Sequence, residues 1–222
     1  INWKVPVSNG SPLLKYEVVF ASTSAASPAY VEESVNCDGA STAVLNNNEC
    51  TIPMSQFWAI TTASPINLVA GDAIKLKLRA HNVIGGGAFT AVITSGISVQ
   101  TPPATPTLSP VRDEAGTTVS QITATMPEII SGTIAAGSAS ISSYGLEWNS
   151  GSGTTFTAIS GDPTESLTRV ITKTSLTSGH SYIFRYRVKN IHGWSAGYSP
   201  QVTIVAAKKP SDPVSATSVL IG

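Results

Sequence analysis

The stretch LVAGDAIKLKLRAHNVIG at residues 68–85 returns 108 positions later as LTSGHSYIFRYRVKNIHG at residues 176–193. Leu68, Gly71, Ile74, Arg79, Asn82 and Gly85 fall on Leu176, Gly179, Tyr182, Arg187, Asn190 and Gly193. A period of this length is too long for a solenoid unit and suits one small domain, so the repeat counts domains in series. Within the first copy Ile74, Leu76, Leu78 and Ala80 alternate with Lys75, Lys77, Arg79 and His81. Alternation with period two predicts a half-buried strand. In the second copy Tyr182, Phe184, Tyr186 and Val188 take one face, with Arg185, Arg187 and Lys189 on the other. Both strands run into a turn of Asn and Gly.

Other segments carry the same period. Tyr16, Val18 and Phe20 alternate with Glu17 and Val19, and Tyr144, Leu146 and Trp148 alternate with Gly145, Glu147 and Asn149. No helical periodicity competes. With 18 Gly and 14 Pro among 222 residues separating the short apolar runs, the pattern predicts an all-β chain of two tandem sandwiches.

The residues resemble fibronectin type III domains, which are immunoglobulin-like β-sandwiches, over nearly the whole chain. The landmarks are Trp3 followed by Pro6 on the second strand, Tyr16 and Tyr144 opening the third, and the Leu176, Gly179, Tyr182 approach to the sixth with its Asn and Gly turn. The resemblance implies a tyrosine corner in which Tyr182 bonds nearby backbone. Ile74 replaces that tyrosine in the first copy, and Ala124 stands where the second copy would carry the Trp. Tyr16 and Leu68 are 52 positions apart against 32 for Tyr144 and Leu176, so the first domain holds about 20 inserted residues. The expected organisation is a domain at 1–100 lacking its first strand, a second at 101–207, and at 208–222 the start of a further domain or a donor segment.

Both cysteines, Cys37 and Cys50, lie in the insertion, around a Ser-, Asn- and Gly-rich stretch too polar for a core of its own. A disulfide is expected; closing such a loop is worth about 3 kcal/mol in the chain-entropy model. It implies an oxidising compartment, the alternative being two buried thiols in a cytosolic protein. No metal site is expected, because no second Cys pair or His cluster supplies further ligands. No cofactor is expected either.

Charged residues make up 12% of the chain, 13 basic cancelling 13 acidic, where about a quarter is usual. Nucleic-acid partners are therefore not expected, and no apolar run is long enough for a membrane span. Solubility then falls to hydroxyls, amides or glycans. Asn9-Gly10-Ser11 is the one N-glycosylation sequon, in a turn between strands. The Pro- and Thr-rich linker from Thr101 to Pro110 reads as a semi-rigid connector, with Thr101, Thr105 and Thr107 as O-glycosylation candidates or as plain hinge residues.

Catalytic signals are absent. His81, His180 and His192 occupy repeat positions, and Glu32, Glu33, Asp113 and Glu114 are scattered over loops, with no Ser-His-Asp pattern. Lys77, Arg79, Arg185 and Arg187 form an outward basic stripe that an anionic glycan could follow. Glu17 and Glu147 share its parity on the neighbouring strand, so cross-strand pairing is the simpler expectation. Trp194-Ser195 in residues 193–199 is similar to the Trp-Ser repeat of some cytokine-receptor members of the family, and implies a cation–π contact with Arg185 or Arg187.

Read end to end, Val219, Ile221, Ile1, Trp3 and Val5 hold one alternating register. The expected function is a structural repeat of an extracellular or cell-surface fibre or stalk, with the chain itself as head-to-tail partner. The junction is either covalent continuity or donation of a strand to a neighbouring subunit. The Cys loop, Thr51-Ile52-Pro53-Met54 and Leu68 to Asn82 are similar to repeats of large surface proteins of unicellular eukaryotes. The competing reading is a ligand-binding adhesion ectodomain, or an accessory module of a carbohydrate-active enzyme.

Overall fold

The computed structural model describes residues 1–58, 66–151 and 155–212. The chain divides into two compact units. The first comprises Ile1–Ala104 with Ile129–Ser140 and Asn190–Gly193; the second comprises Thr105–Glu128, Ile141–Lys189 and the described residues from Trp194 onward.

In the first unit β1 (Lys15–Ala21), β2 (Tyr30–Glu32), β3 (Ala73–Asn82), β4 (Gly85–Gly86) and β5 (Ile93–Ser98) form one antiparallel sheet. Its order is β2-β1-β3-β4, with β5 also on β3. Facing residues pair in the register Glu17 with Arg79 and Val18 with Leu78. Among the described residues, Asn2 and Glu49 form an isolated antiparallel bridge outside this sheet. Tyr16, Val18, Phe20, Leu68, Ile74, Leu76 and Val99 make the core, as the period-two pattern requires.

The insertion departs from the strand pattern. It holds two short helices, α1 (Thr42–Asn47) and α2 (Ser55–Trp58). Six residues are too few to show a helical period, so α1 stands on its caps. Ser41 Oγ accepts from Val44 N, and Asn48, left-handed at φ 55°, donates its N–H to Val44 O. Val44 and Phe57 are the buried anchors that fix the helices to the core.

The second unit has two sheets. One is β6 (Val111–Arg112), β7 (Gln121–Thr125) and β10 (Val170–Thr174), in the order β10-β7-β6. The other is β8 (Ile141–Trp148), β9 (Thr157–Ser160), β11 (Ser181–Asn190), β12 (Gly193–Trp194) and β13 (Val202–Val205), in the order β12-β11-β8-β9 with β13 on β11. Ile122, Ala124 and Met126 from the first sheet and Leu146, Phe184, Tyr186, Val188 and Ile204 from the second are buried. β11 alternates buried and half-buried residues along its last nine positions.

Candidate functional site

The outward faces of the strands hold ordered charge. On β11, Arg185 donates to Glu147 at 2.9 Å, Arg187 to Asp162 at 2.7 Å, and Lys189 pairs with Glu165 at 2.7 Å. Aromatic rings interleave with these cations. Arg185 lies 3.9 Å from the ring centroids of both Phe156 and Tyr198, and Arg187 lies 4.5 Å from that of Trp194. Tyr198 closes the ladder by donating its hydroxyl to Glu147 at 2.7 Å. The Trp194 contact expected from the Trp-Ser pair falls on Arg187, while Arg185 is taken by the two other rings. In the first unit Arg79 and His81 both reach Glu17 at 2.8 Å, and Arg79 stacks on Phe89 at 4.3 Å. Cross-strand pairing thus engages much of the basic stripe, leaving little free charge for an anionic ligand.

These contacts set a pH dependence. The Arg79 guanidinium holds the Glu17 carboxyl below its ordinary value of 4.5, burial opposes the shift, and His81 adds to it. A depressed carboxylate stabilises the fold above its unfolded pKa, and the contribution disappears as the pH falls through the folded one. Burial pushes the Tyr186 phenol up from 10.0 to about 12. That contribution is present below 10 and is lost as the pH rises toward about 12. Denaturation midpoints across pH should show Glu17→Gln flattening the acid limb and Tyr186→Phe the alkaline one. Unchanged limbs would refute both assignments.

Cys37 and Cys50 form a disulfide with Cα atoms 5.3 Å apart, inside the core of the first unit. The bridge organises the residues around it. Cys50 N donates to Ile1 O and Ile1 N to Cys50 O, both at 2.8 Å, while Trp3 N donates to Asn48 O at 3.0 Å. Tyr16 donates its hydroxyl to Asn48 Oδ1 at 2.8 Å, and its ring meets Trp3 edge to face at 4.9 Å. Gly39 lies so close that a Cβ there would meet Tyr16 O at 1.7 Å. The insertion is therefore the support on which residues 1–3 rest.

Beside that support runs an apolar groove of about 600 Å³, walled by Ile1, Trp3 and Pro6 on one side and by Leu76, Leu78 and Ile93 on the other. A continuation of about 220 Å³ passes Ile97 to reach Met54 and Phe57. All residues of β5 are exposed, and Leu78 and Ala80 of β3 are only half-buried although their parity predicts burial. The second unit has the equivalent position covered. There Thr105–Arg112 runs beside β13: Gly197 N donates to Thr105 Oγ1, Ser109 Oγ to Gln201 O, and Arg112 to Ala207 O. The same segment pairs with β7 through Val111 and Arg112. Ile204 under it is 2% exposed, whereas Ile97 of β5 is 55% exposed.

A three-stranded sheet β10-β7-β6 facing β9-β8-β11-β13, with a corner tyrosine, decides the fold. In that corner Thr177 N donates to the Tyr182 hydroxyl at 3.0 Å. The chain is built of tandem fibronectin type III-like sandwiches. No family model matches the sequence, and no curated protein matches it. Among solved structures it is similar to titin domains at 14% identity and TM-score 0.44, over 87% of this chain and 55% of that one. It is also similar to the FN1 to FN3 domains of chicken CNTN1, at 13% identity and TM-score 0.36 over 87% of this chain and 56% of that one. A human fibronectin type III domain of fibronectin type III domain containing protein 3 matches at 23% identity and TM-score 0.37, over 55% of this chain and all of that one. The chain spans about half the length of the first two structures.

The groove lies beside β5 as Thr105–Arg112 lies beside β13 in the second unit. Ile93 and Ile97 are groove residues that the sequence reading does not single out. Ile93 and Ile97 lie on either side of Gly96, whose φ of 75° falls inside β5 where its register with β3 shifts, and this irregularity hides the alternation. Val5 is exposed beyond the paired residues, and Val219 and Ile221 lie outside the described residues. Asn9 is exposed in a turn at φ 51°, followed by Gly10 at φ 86°. Thr107 is exposed, Thr105 Oγ1 is engaged by Gly197, and Thr101 is half-buried with its hydroxyl donating to Pro102 O. His192 is bonded to Gln100, and Glu33 accepts from Asn36 N at 2.9 Å to close a turn. Among the described residues no group of three His, Cys, Asp or Glu side chains is placed to hold a metal ion. No helix among them is long and apolar enough to cross a membrane.

Proposed function

We propose that this chain is a structural repeat of an extracellular or cell-surface fibre or stalk, assembled head to tail and glycosylated. The observation that carries this reading is the serial repetition of one β unit at an offset of 108 residues. The disulfide supports an oxidising compartment, and the charge ladders fit a scaffold better than a receptor for anionic ligands. Asn9 and Thr107 are the exposed acceptors for sugar, which would supply the solubility that a low-charge surface lacks.

Electron microscopy of the material from its native source should show filaments, and peptide mapping should find glycan on Asn9. Dispersed monomers carrying unmodified Asn9 would refute the reading and favour a ligand-binding ectodomain or accessory module.

A further inference from the structure

We propose that Asn190 is a clasp that holds the start of the Pro- and Thr-rich linker as a fixed edge of the first unit, so that order at Thr101–Ala104 is set by a side chain 89 positions downstream of Thr101. The linker's composition allows either a semi-rigid connector or a hinge, and its hydrogen bonds decide between them. Thr101 N donates to Gly137 O and Ala104 N to Ala135 O, both at 2.9 Å. Pro102 and Pro103 between them have no N–H to place. The linker backbone is thus paired on both sides of its two prolines against the 3-10 turn Ile134–Ala136 and the Gly137 that ends it.

The side chain of Asn190 closes this arrangement. It is 1% exposed, and its amide donates to Thr101 O at 2.7 Å and to Ala136 O at 2.9 Å, while Oδ1 accepts from His192 N at 2.8 Å. A buried amide whose two hydrogens bond different segments ties those segments together, and its loss leaves two carbonyls short of a donor. Two further contacts join the same segments. His192 Nε2 lies 3.0 Å from Gln100 Oε1, and Gly137 is packed so closely that a Cβ there would meet Thr101 O at 2.0 Å. The repeat supplies the comparison. Asn82 stands at the equivalent position and caps its own turn in the same way, with Oδ1 accepting from Ile84 N at 2.9 Å, while its amide reaches Ser8 O at 3.3 Å. Turn capping is therefore common to both copies, and in the second the amide takes the linker as well.

The test uses the full chain, with amide exchange and nitrogen relaxation as readouts. In the wild-type protein the amides of Thr101 and Ala104 should have order parameters of about 0.85, and values below about 0.6 would overturn the clasp. Asn190→Ala should speed exchange at both amides at least about tenfold, with β1 and β8 amides unchanged. Asn82→Ala removes the equivalent turn cap without touching the linker, and should leave Thr101 and Ala104 protected. Equal loosening by the two variants would assign the effect to turn capping and overturn the proposal, as would linker protection that survives Asn190→Ala. If Asn190→Ala also strips protection from β8 and β11, Gly137→Ala decides, because its Cβ displaces Thr101 O from the other side and leaves Asn190 in place. Released Thr101 and Ala104 amides in that variant support the clasp, and retained ones overturn it. None of these readouts depends on assembly, so a monomeric protein with an ordered linker would keep the clasp while removing the fibre reading.

Discussion

Phe20→Ala should cost the first domain about 3–5 kcal/mol, the largest single loss expected in the molecule. Phe20 is fully buried, sits opposite Leu76 in the β1 and β3 register, and meets Phe57 of α2 edge to face at 5.2 Å. Truncation removes the apolar contact area of the ring and leaves a cavity that the surrounding strands cannot close, because their hydrogen-bonded register holds them apart. It also removes the anchor between the sheet and the insertion. Since a whole domain is stable by only about 5–15 kcal/mol, the loss takes a large part of the margin. Denaturant titration should give a lower midpoint. Hydrogen exchange should show β1 and β3 amides losing protection while β8 and β11 keep theirs. Equal loss in both domains would refute a core confined to the first, and a change under about 1 kcal/mol would refute the packing itself.

Removing the disulfide should have the next largest effect. Cys37→Ala with Cys50→Ala should destabilise the first domain by about 3 kcal/mol, within the range of 2–5 seen when native bridges are removed from small domains. The physical consequence is more specific than the number. Cys50 exchanges two backbone hydrogen bonds with Ile1, and Asn48 holds Trp3 N. Freed of the bridge, residues 48–50 lose their fixed position, and Ile1 to Trp3 lose their support. Amides of Trp3 and Cys50 should exchange faster, and Trp3 fluorescence should shift toward that of a wetter indole. Retention of both signals in the double variant would show that α1 and its caps hold the insertion without the bridge. Two freely alkylated thiols in unreduced protein would remove the bridge altogether.

The alternations at Tyr16 to Phe20, Ile74 to Ala80, Tyr144 to Trp148 and Tyr182 to Val188 were legible because a strand's burial is a property of adjacent residues. The same locality made the pairing of Arg79 with Glu17 and Arg185 with Glu147 predictable, since outward parity on neighbouring strands puts the side chains within reach. The sole two cysteines flanking a polar insertion were legible for a similar reason: there is one pairing to make. The helix α1 was missed because Thr42–Asn47 buries chiefly Val44 and shows no period, although Ser41 and Asn48 are its cap residues in plain view.

The sequence by itself determined that the chain repeats, that each copy is a β-sandwich, which faces of its strands are apolar, and where a disulfide can form. These follow from side-chain chemistry and from the two-residue period of extended backbone, which act between neighbours. Only the tertiary structure decided that Leu78, Ile93 and Ile97 line an open groove while Ile204 is sealed. Alternation says that a face must be covered but not which segment covers it. That depends on whether a distant stretch such as Thr105–Arg112 returns to lie on the sheet, and in the first domain no described segment does.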